Sequence, residues 1–465
     1  MRLCLAAAVM GGKASSKLSR FAGGRGSSLP GMVARRIYPK VLRHLARQVN
    51  KGVIMVIGTN GKTTTNNMIA RILQTDQQRV VYNQEGANLI NGITACFVKH
   101  ANITGGIKFD YASLEVDEAT FPKVVQEVKP RVVVVINFFP DQLDRYGQLE
   151  NTVQMVKGAL EKLEDVTLIL NADDPLVAQL GPSTGHKTLY FGVARQRPQT
   201  GGTSRNEGCL CPRCGVALDY SFTHYSQLGG YQCVQCQFTR PEPDIEAINI
   251  NTADNTLQME VHDGNDYTIV TMRTTGFYNV YNALAAFALG KVLGIDQLSI
   301  QKGLELYSPA LGRMEMFRYQ DKSVVLNLVK NATGLSEGLS TILSRGGTKD
   351  ILIAINDQAA DGRDVSWLWD VDFEALLSQL PELTSFICSG TRAEEVAVRL
   401  KYAGVPLEKI SVANDPESAV TALLQGEGDC AYLLCAYTAL WPARATLCRL
   451  AEKEEDHAVG LSSVS

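Results

Sequence analysis

Val53-Ile-Met-Val-Ile-Gly-Thr-Asn-Gly-Lys-Thr63 is the stretch that decides the fold. Its first five residues are apolar and mostly β-branched, which suits a strand buried on both faces of a parallel sheet. The strand runs straight into Gly58-Thr-Asn-Gly-Lys-Thr63 and then a helical pattern, so a glycine loop aims its backbone N–H groups and a helix N-terminus at phosphate. On this reading Gly58, Thr59, Asn60, Gly61, Lys62, Thr63 and Thr64 bind a nucleotide, expected to be ATP. Lys62 reaches the terminal phosphates, and the Thr63 hydroxyl ligates Mg²⁺, a cation that keeps its waters and takes few protein ligands. The full P-loop pattern would have glycine at position 56, where this chain has Val56.

Around that stretch, runs rich in Val and Ile at 80–82, 112–116, 132–137 and 166–170 alternate with helical periods at 64–73 and 152–163. The alternation predicts a mostly parallel sheet covered by helices on both faces. Past Val193 the pattern dissolves, and a cysteine-rich stretch reads as a module inserted at about 205–243. Segments 245–249, 257–262 and 267–272 look like antiparallel strands, and 281–293 like a helix ended by Gly294. A second βα series, with strands at 324–328, 351–355, 385–388 and 432–434, predicts a doubly wound carboxyl-terminal α/β domain. The expected organisation is a basic arm at 1–50, a central ATP-binding domain at 51–305 and the second domain at 306–465.

The chain has 465 residues, with 45 Lys plus Arg against 48 Asp plus Glu, and its net charge of −3 disfavours a globally basic nucleic-acid binder. Ten of the cations and no acid fall in residues 1–50, leaving −13 on the remainder. Two readings of this arm stay open. It is a solvated helix packing on the body, or it is drawn to anionic headgroups at the inner membrane surface, where each Lys or Arg contributes about 1 kcal/mol. Leu3 to Met10 could also pass for a signal-peptide core, and the acid-free arm for a transit peptide. No apolar run reaches the roughly 18 residues of a membrane-spanning helix. Five of eleven cysteines crowd into 209–236 and the rest are scattered, which reads as a metal site plus reduced thiols, and hence a cytoplasmic address.

Cys211-Pro-Arg-Cys214 and Cys233-Val-Gln-Cys236 have the two-knuckle spacing of a four-thiolate zinc ribbon. All four metal positions are then filled by protein, so the Zn²⁺ is structural and its binding folds the insert. Cys209 is a spare thiol that could exchange with Cys211, and His224 reads as a packed residue rather than a ligand. Glu115, in Leu114-Glu-Val-Asp-Glu118, would point past the carboxyl edge of the sheet and hold a second Mg²⁺; the alternative is a solvated acidic strand end. Trp367 and Trp369 read equally as interface anchors or core residues.

These residues resemble the Mur ligase family, ATP-dependent enzymes that join amino acids to cell-wall precursors, over nearly the whole chain. The resemblance is carried by the Gly58-to-Thr63 loop, Asn137 through Asp141-Gln-Leu-Asp-Arg-Tyr146, Gly276-Phe-Tyr-Asn279 with Asn282-Ala-Leu-Ala-Ala286, and Gly312-Arg-Met-Glu315. It implies a Mur-ligase-type P-loop ATPase domain with an inserted zinc ribbon, plus the doubly wound second domain. It also implies Lys62 and Thr63 on phosphates and Mg²⁺, Glu115 on the second Mg²⁺, Asn282 near adenine, and Arg313 approaching the phosphates from the domain hinge.

Two departures matter. Gln142 stands where generic members carry a metal-contacting His, and Val156 where they carry a lysine whose carbamate supports the second metal; Lys157 is one register off. Arg25-Gly, Leu29-Pro-Gly31, Glu85-Gly-Ala-Asn88, the cysteine ribbon, Lys330-Asn331 and Ala360-Asp-Gly-Arg-Asp-Val-Ser-Trp367 followed by Asp370 are similar to a diverged branch of the family. In that branch the ligase subunit works with a GatD-type glutamine amidotransferase subunit on lipid II. One small departure from it is Ala332, where proline is usual. The resemblance places Lys330 at the nucleotide and makes Asp364 the residue that reaches into the glutaminase and orients its catalytic His, as a triad carboxylate does. Read from the residues alone, Asp361-Gly-Arg-Asp364 is a polar turn between the strand at 351–355 and a helix at 373–380.

The implied reaction is ATP-dependent amidation of the D-glutamate α-carboxylate of the lipid II stem peptide. An acyl phosphate is attacked by ammonia, and Mg²⁺, Lys62 and Arg313 meet the developing charge. None of the eleven cysteines sits in a G-x-C-x-G elbow, so the ammonia must come from another chain. One rival is an amino-acid-adding Mur ligase or folylpolyglutamate-synthase-like enzyme acting alone, against which the missing register lysine and the 361–364 loop speak. The other is a zinc-ribbon nucleic-acid-binding NTPase, which needs more cations around the ribbon than Arg213 and Arg240.

Overall fold

The computed structural model describes residues 2–21, 28–83, 87–141, 149–196, 209–253 and 255–453. Arg25, Glu85, Gly86 and the segment beginning at Gln142, all singled out in the sequence, lie outside the described residues.

Three helices open the chain: α1 (Arg2–Phe21), α2 (Leu29–Ile37) and α3 (Val41–Ala46). The first sheet then takes β1 (Gly52–Ile57), β2 (Val80–Tyr82), β3 (Tyr111–Glu115), β4 (Val132–Val135), β5 (Thr167–Asn171) and β6 (Lys187–Val193) in parallel. Between these strands run α4 (Lys62–Thr75), α5 (Ile90–His100), α6 (Phe121–Val128) and α7 (Leu149–Leu160). β4 is four valines, all buried, as a strand covered on both faces requires. A hairpin, β7 (Asp219–Tyr225) and β8 (Leu228–Gln232), stands apart, and β9 (Ile245–Ala253), β10 (Thr256–His262) and β11 (Tyr267–Met272) extend the sheet. β9 pairs parallel with β6, and β10 and β11 then add antiparallel. β11 alternates exposed and buried residues, the mark of an edge with one wet face. The strand order is β11-β10-β9-β6-β5-β4-β1-β3-β2.

Helix α8 (Tyr278–Leu293) is buried continuously from Asn279 to Gly290 and ends at Gly294 in the left-handed conformation, φ 71°. Asp296 caps the next helix, α9 (Gln297–Glu305), accepting from the backbone N–H groups of Leu298 and Ser299.

The basic arm is not a separate object. Leu5, Ala8 and Val9 of α1 and Ala34 of α2 are buried in one cluster with Val53 and Met55 of β1. Two of its described glycines are contact points: a Cβ on Gly12 would meet the Pro30 carbonyl oxygen and Val98 at 2.8 Å, and one on Gly31 would overlap the Asn91 carbonyl oxygen.

The second sheet is built from β12 (Glu315–Tyr319), β13 (Lys322–Leu328), β14 (Lys349–Ala354), β15 (Leu383–Ser389), β16 (Ile410–Val412), β17 (Cys430–Cys435) and β18 (Glu452–Lys453), in the order β16-β15-β14-β17-β13-β12-β18. Helices α10 (Ala332–Leu343), α11 (Ala393–Tyr402), α12 (Pro416–Leu424) and α13 (Tyr437–Leu450) cover it. The segment read as a helix at 373–380 is a 3₁₀ stretch, Phe373–Glu382, with a non-helical residue at Gln379 and Pro381 inside it. Proline lacks the N–H that an α-helix would need there.

Candidate active site

β1 ends at Ile57, and Gly58 (φ 139°) and Gly61 (φ 87°) turn the chain into α4. Neither glycine leaves room for a side chain. A Cβ on Gly58 would sit 3.0 Å from the backbone N and O of Asn137, and one on Gly61 would run into the Asn282 carboxamide. Val56 lies within the strand, in register with Glu115. The residues after β4 hold the loop from one side. Asn60 N–H donates to Asn137 Oδ1 (2.9 Å), Asn137 Nδ2 to Asn60 O (3.1 Å), and Phe139 N–H to the Thr59 hydroxyl (2.9 Å). Asn282, on α8, is buried behind the loop, accepting from Thr65 Oγ1 (3.2 Å) and donating to Asn279 Oδ1 (3.0 Å). Thr64 is buried in the first turn of α4.

Six charged groups converge in front of the loop. Lys62 Nζ donates to Gly58 O (2.5 Å) and Glu118 Oε1 (2.9 Å), and the same Glu118 oxygen accepts from Gly58 N–H (2.9 Å). Burial alone would lower the Lys62 pKa, but Glu118, with Asp117 and Asp141, outweighs it and the pKa is raised. Glu115 is buried at the end of β3, and one of its carboxylate oxygens has no hydrogen-bond partner among the described residues. Burial raises its pKa against the pull of Thr63, Lys62, Lys330 and Arg313. Asp141 also carries a buried oxygen without a partner, and burial pushes its pKa up to about 6 against Lys330 and Lys62. Lys330 is lowered by burial and by its like-charged neighbours Arg313 and Lys62.

The second domain brings Arg313, Lys330 and Asn331 to this rim. Gly312 takes a left-handed φ of 72°, and its N–H donates to Glu315 Oε2 (3.0 Å). Arg444 grips that carboxylate bidentately (2.8 and 2.7 Å), which fixes the turn carrying Arg313. Asn331 caps α10 through Gly334 N–H (2.9 Å) and exchanges two amide hydrogen bonds with Asn60, each 3.2 Å. Asp364 is not part of the cluster. It stands on the loop after β14, two strands from β13, where hydrogen bonds to its carboxylate from the Ser366 side chain and from Ser366 N–H (2.8 Å) lower its pKa. Asp361 anchors the loop by accepting from Thr438 N–H (2.8 Å) and the Thr438 hydroxyl (2.5 Å). Trp367 packs against the second core, whereas Trp369 is exposed and meets Tyr402 edge-on at 5.8 Å.

The ribbon cysteines also converge. The sulfurs of Cys211, Cys214, Cys233 and Cys236 lie within 4.8 Å of one another, with pairs at 3.4 and 3.5 Å. Cys209 is outside this group, and His224 packs among Phe222, Phe277 and Tyr281 with its Nε2 at 3.3 Å from Val193 O. Val156 is buried in the first core and Lys157 faces Glu161 along α7, so neither reaches the rim.

Two family descriptions match the chain: the Mur ligase middle domain at 56–207 and the MurT ligase C-terminal domain at 328–440. The chain is 37% identical over 416 residues to the MurT subunit of lipid II isoglutaminyl synthase (glutamine-hydrolyzing) from Staphylococcus aureus strain N315, covering 90% of this chain and 92% of that one. It belongs to the MurT family of Mur ligases. The Streptococcus pneumoniae MurT subunit is 34% identical over 426 residues, 91% of this chain and 93% of that one. Among solved structures, a pseudomurein peptide ligase type C from Methanothermus fervidus shares the fold, with a TM-score of 0.66 and 24% identity over 87% of this chain and 80% of that one.

Within this MurT-type site, sequence reasoning missed Glu118 and Asp141. Glu118 stood three residues past Glu115 as one more acid in an acidic run, and no local signal distinguished it. In the structure its carboxylate lies where a phosphate would be cradled, on the loop N–H and the loop lysine. Glu118→Ala is expected to tighten nucleotide binding on the order of tenfold, since a charge-assisted contact is worth about 1.5–3 kcal/mol. Displacement of a fluorescent ATP analogue reads this, and weaker binding would instead make Glu118 a ligand of the nucleotide or its metal.

Proposed function

We propose that this chain is the ligase half of a split amidotransferase that converts the D-glutamate of the lipid II stem peptide to D-isoglutamine, with ammonia supplied by a GatD-type glutaminase. Near-full-length identity to curated lipid II isoglutaminyl synthase subunits carries the reading. A carboxylate oxygen of the substrate attacks the γ-phosphorus of ATP and ADP leaves. Ammonia then attacks the acyl carbon, the bond to phosphate breaks, and the nitrogen gives up a proton. Both steps build negative charge, and Lys62, Lys330 and Arg313 are partly buried cations facing it.

The residues fit Mg²⁺ as well as nucleotide. Glu115 offers a buried carboxylate oxygen without a partner among the described residues, beside the Thr63 hydroxyl, and Asp141 offers a second such oxygen near Lys62 and Lys330, oxygen donors of the kind Mg²⁺ takes. When bound, the metal neutralises phosphate charge. The chain offers no glutaminase nucleophile among its described residues: no cysteine sulfur is hydrogen-bonded to a histidine, and burial pushes the Cys96, Cys388 and Cys435 thiols up to about 12. Asp364, held ionised in its turn, suits the orienting carboxylate for a histidine on another chain. No observation favours the amino-acid-adding alternative.

The ribbon reads as a structural zinc site. Four thiolates at about 2.3 Å from Zn²⁺ in a tetrahedron have sulfurs about 3.8 Å apart, close to the spacing here. Its own apolar cluster is small, built around Leu218, Tyr231 and Phe238, too little to fold the insert unaided. We also read α1 as a contact with anionic lipid. Leu3, Met10 and Leu18 are exposed on one half of the helix with Lys13 and Lys17, although no described helix is long and apolar enough to cross a membrane.

With ATP, Mg²⁺ and glutamine, lipid II is expected to be amidated only when the glutaminase is present. Lys62→Ala abolishes amidation from glutamine or ammonium, while Asp364→Asn lowers glutamine hydrolysis at least tenfold and leaves ammonium-driven amidation intact; unchanged hydrolysis sinks the cross-chain role. The purified chain carries one equivalent of zinc by elemental analysis, and Cys233→Ser loses both the metal and several degrees of Tm; full stability without zinc removes the structural assignment. Co-sedimentation with vesicles containing phosphatidylglycerol is lost in Leu3→Ser/Met10→Ser/Leu18→Ser, and equal sedimentation of both proteins rules out α1 as the contact.

A further inference from the structure

A groove of about 360 Å³ opens between α2, the start of α3, α5 and α6, apart from the nucleotide loop. Arg35, Lys40, Arg43 and Lys123 line it against a single acid, Glu127, with Ile90 as an apolar wall. Arg35 is already engaged, forking onto Glu127 at 2.9 and 3.2 Å. Lys40, Arg43 and Lys123 form no ion pair with any described residue. Three cations therefore face one small space with nothing described to neutralise them.

The helices around the groove add to this field. Ile90 is the first residue of α5 and Lys123 the third of α6; neither helix has an acid in its first turn or a side chain capping it. At the start of α6 the N–H groups are already spent, Phe121 on Asp117 O (2.8 Å) and Lys123 on Thr120 O (3.0 Å), with Pro122 between them, so the field there comes from the Lys123 side chain itself. An anion in the groove would offset that charge. Helix α5 follows β2 and α6 follows β3, so both begin at the carboxyl edge of the sheet, the edge where β1 delivers Lys62. Two strand spacings, about 10 Å, separate β2 from β1. An extended substrate can span that distance along one rim.

We propose that this groove is a diphosphate-binding subsite, in which Lys40, Arg43 and Lys123 hold the diphosphate of the substrate while the carboxylate to be activated lies toward Glu115. That the diphosphate is the one joining a cell-wall precursor to its lipid carrier rests on the function proposed above.

The test uses the full chain with its glutaminase, the triple variant Lys40→Gln/Arg43→Gln/Lys123→Gln, and Lys123→Glu alone as a milder surface change. With the nucleotide loop saturated by Mg²⁺–ADP, calorimetry should show inorganic pyrophosphate binding to the wild type and at least tenfold weaker binding to both variants; no binding, or equal binding, overturns the site. In turnover, the variants should raise KM for lipid II at least tenfold but leave KM unchanged for ATP and for a muropeptide of the same stem without diphosphate. An equal rise for both acceptors overturns the assignment. Loss of binding to phosphatidylglycerol vesicles with pyrophosphate binding intact would give the cations to lipid headgroups and overturn it too. If the wild type amidates neither acceptor, the proposed reaction fails, whereas the pyrophosphate measurement still decides the groove.

Discussion

The rim between the two sheets brings three cations and three carboxylates out of bulk water into one space, and the surrounding architecture follows from keeping them there. Lys62, Lys330 and Arg313 repel one another, and burial disfavours each charge. Without phosphate, the cluster persists because Glu115, Glu118 and Asp141 are interleaved with it. The carboxylates are not equivalent. Glu118 spends its oxygen on Lys62 and Gly58, while Glu115 and Asp141 each keep a buried oxygen unpaired. An unpaired buried carboxylate oxygen costs free energy, and a site retains it where a ligand repays that cost.

Such a cluster can form only if two domains arrive together, and the contacts across the gap are specific. The paired amides of Asn60 and Asn331 fasten the phosphate loop to the first turn of α10, and a Cβ at Gly334 would reach only within 3.9 Å of Asn60. On the other side of the hinge, Glu315 ties the Arg313 turn to Arg444 and Lys453. Arg313 therefore reports the position of the whole second sheet. A small rotation of that domain would separate it from Glu115 while leaving both folds intact, so the charge gathered at this rim and the closure of the domains are one variable.

Much of the fold was legible because its signals are local. The Val and Ile runs of β1 and β4, the glycine loop, the Gly294 terminator and the CxxC pairs each declare themselves within a dozen residues. The elements that escaped are those defined by distant partners. β12 is Glu-Met-Phe-Arg-Tyr, with no continuous apolar run, and it is a strand because β13 and β18 pair with it. The glycines of α1 carried no signal in the sequence, whereas Gly12 marks where another helix backbone comes close. Asn331 gave no hint of Asn60, which is 271 residues away. Glu118 became distinct only when the turn after β3 brought it onto the loop. Asp364 is the converse case: its turn was visible in the residues, but the role proposed for it came from the family resemblance, and among the described residues no histidine is hydrogen-bonded to it.

The ribbon shows how an insertion can matter to chemistry it never touches. It interrupts the sheet between β6 and β9, which still pair in parallel register from Phe191–Ile245 to Val193–Ala247, so its two ends must be held a strand's width apart. Asp173 does this, accepting from Arg240 Nε (2.6 Å), Val193 N–H (2.9 Å) and the Tyr281 hydroxyl (2.7 Å). At the far end of the module, the β7–β8 turn sends Gln227 Nε2 to the Phe138 carbonyl (2.5 Å), and Tyr225 lies 6.0 Å from the Phe139 ring. Phe139 bonds Thr59 of the phosphate loop, and Asp141 follows two residues later. A rigid ribbon therefore buttresses the segment that shapes the nucleotide site from behind. A metal held by its four cysteines would lock both knuckles and so also fix where Gln227 and Tyr225 press on the loop's support.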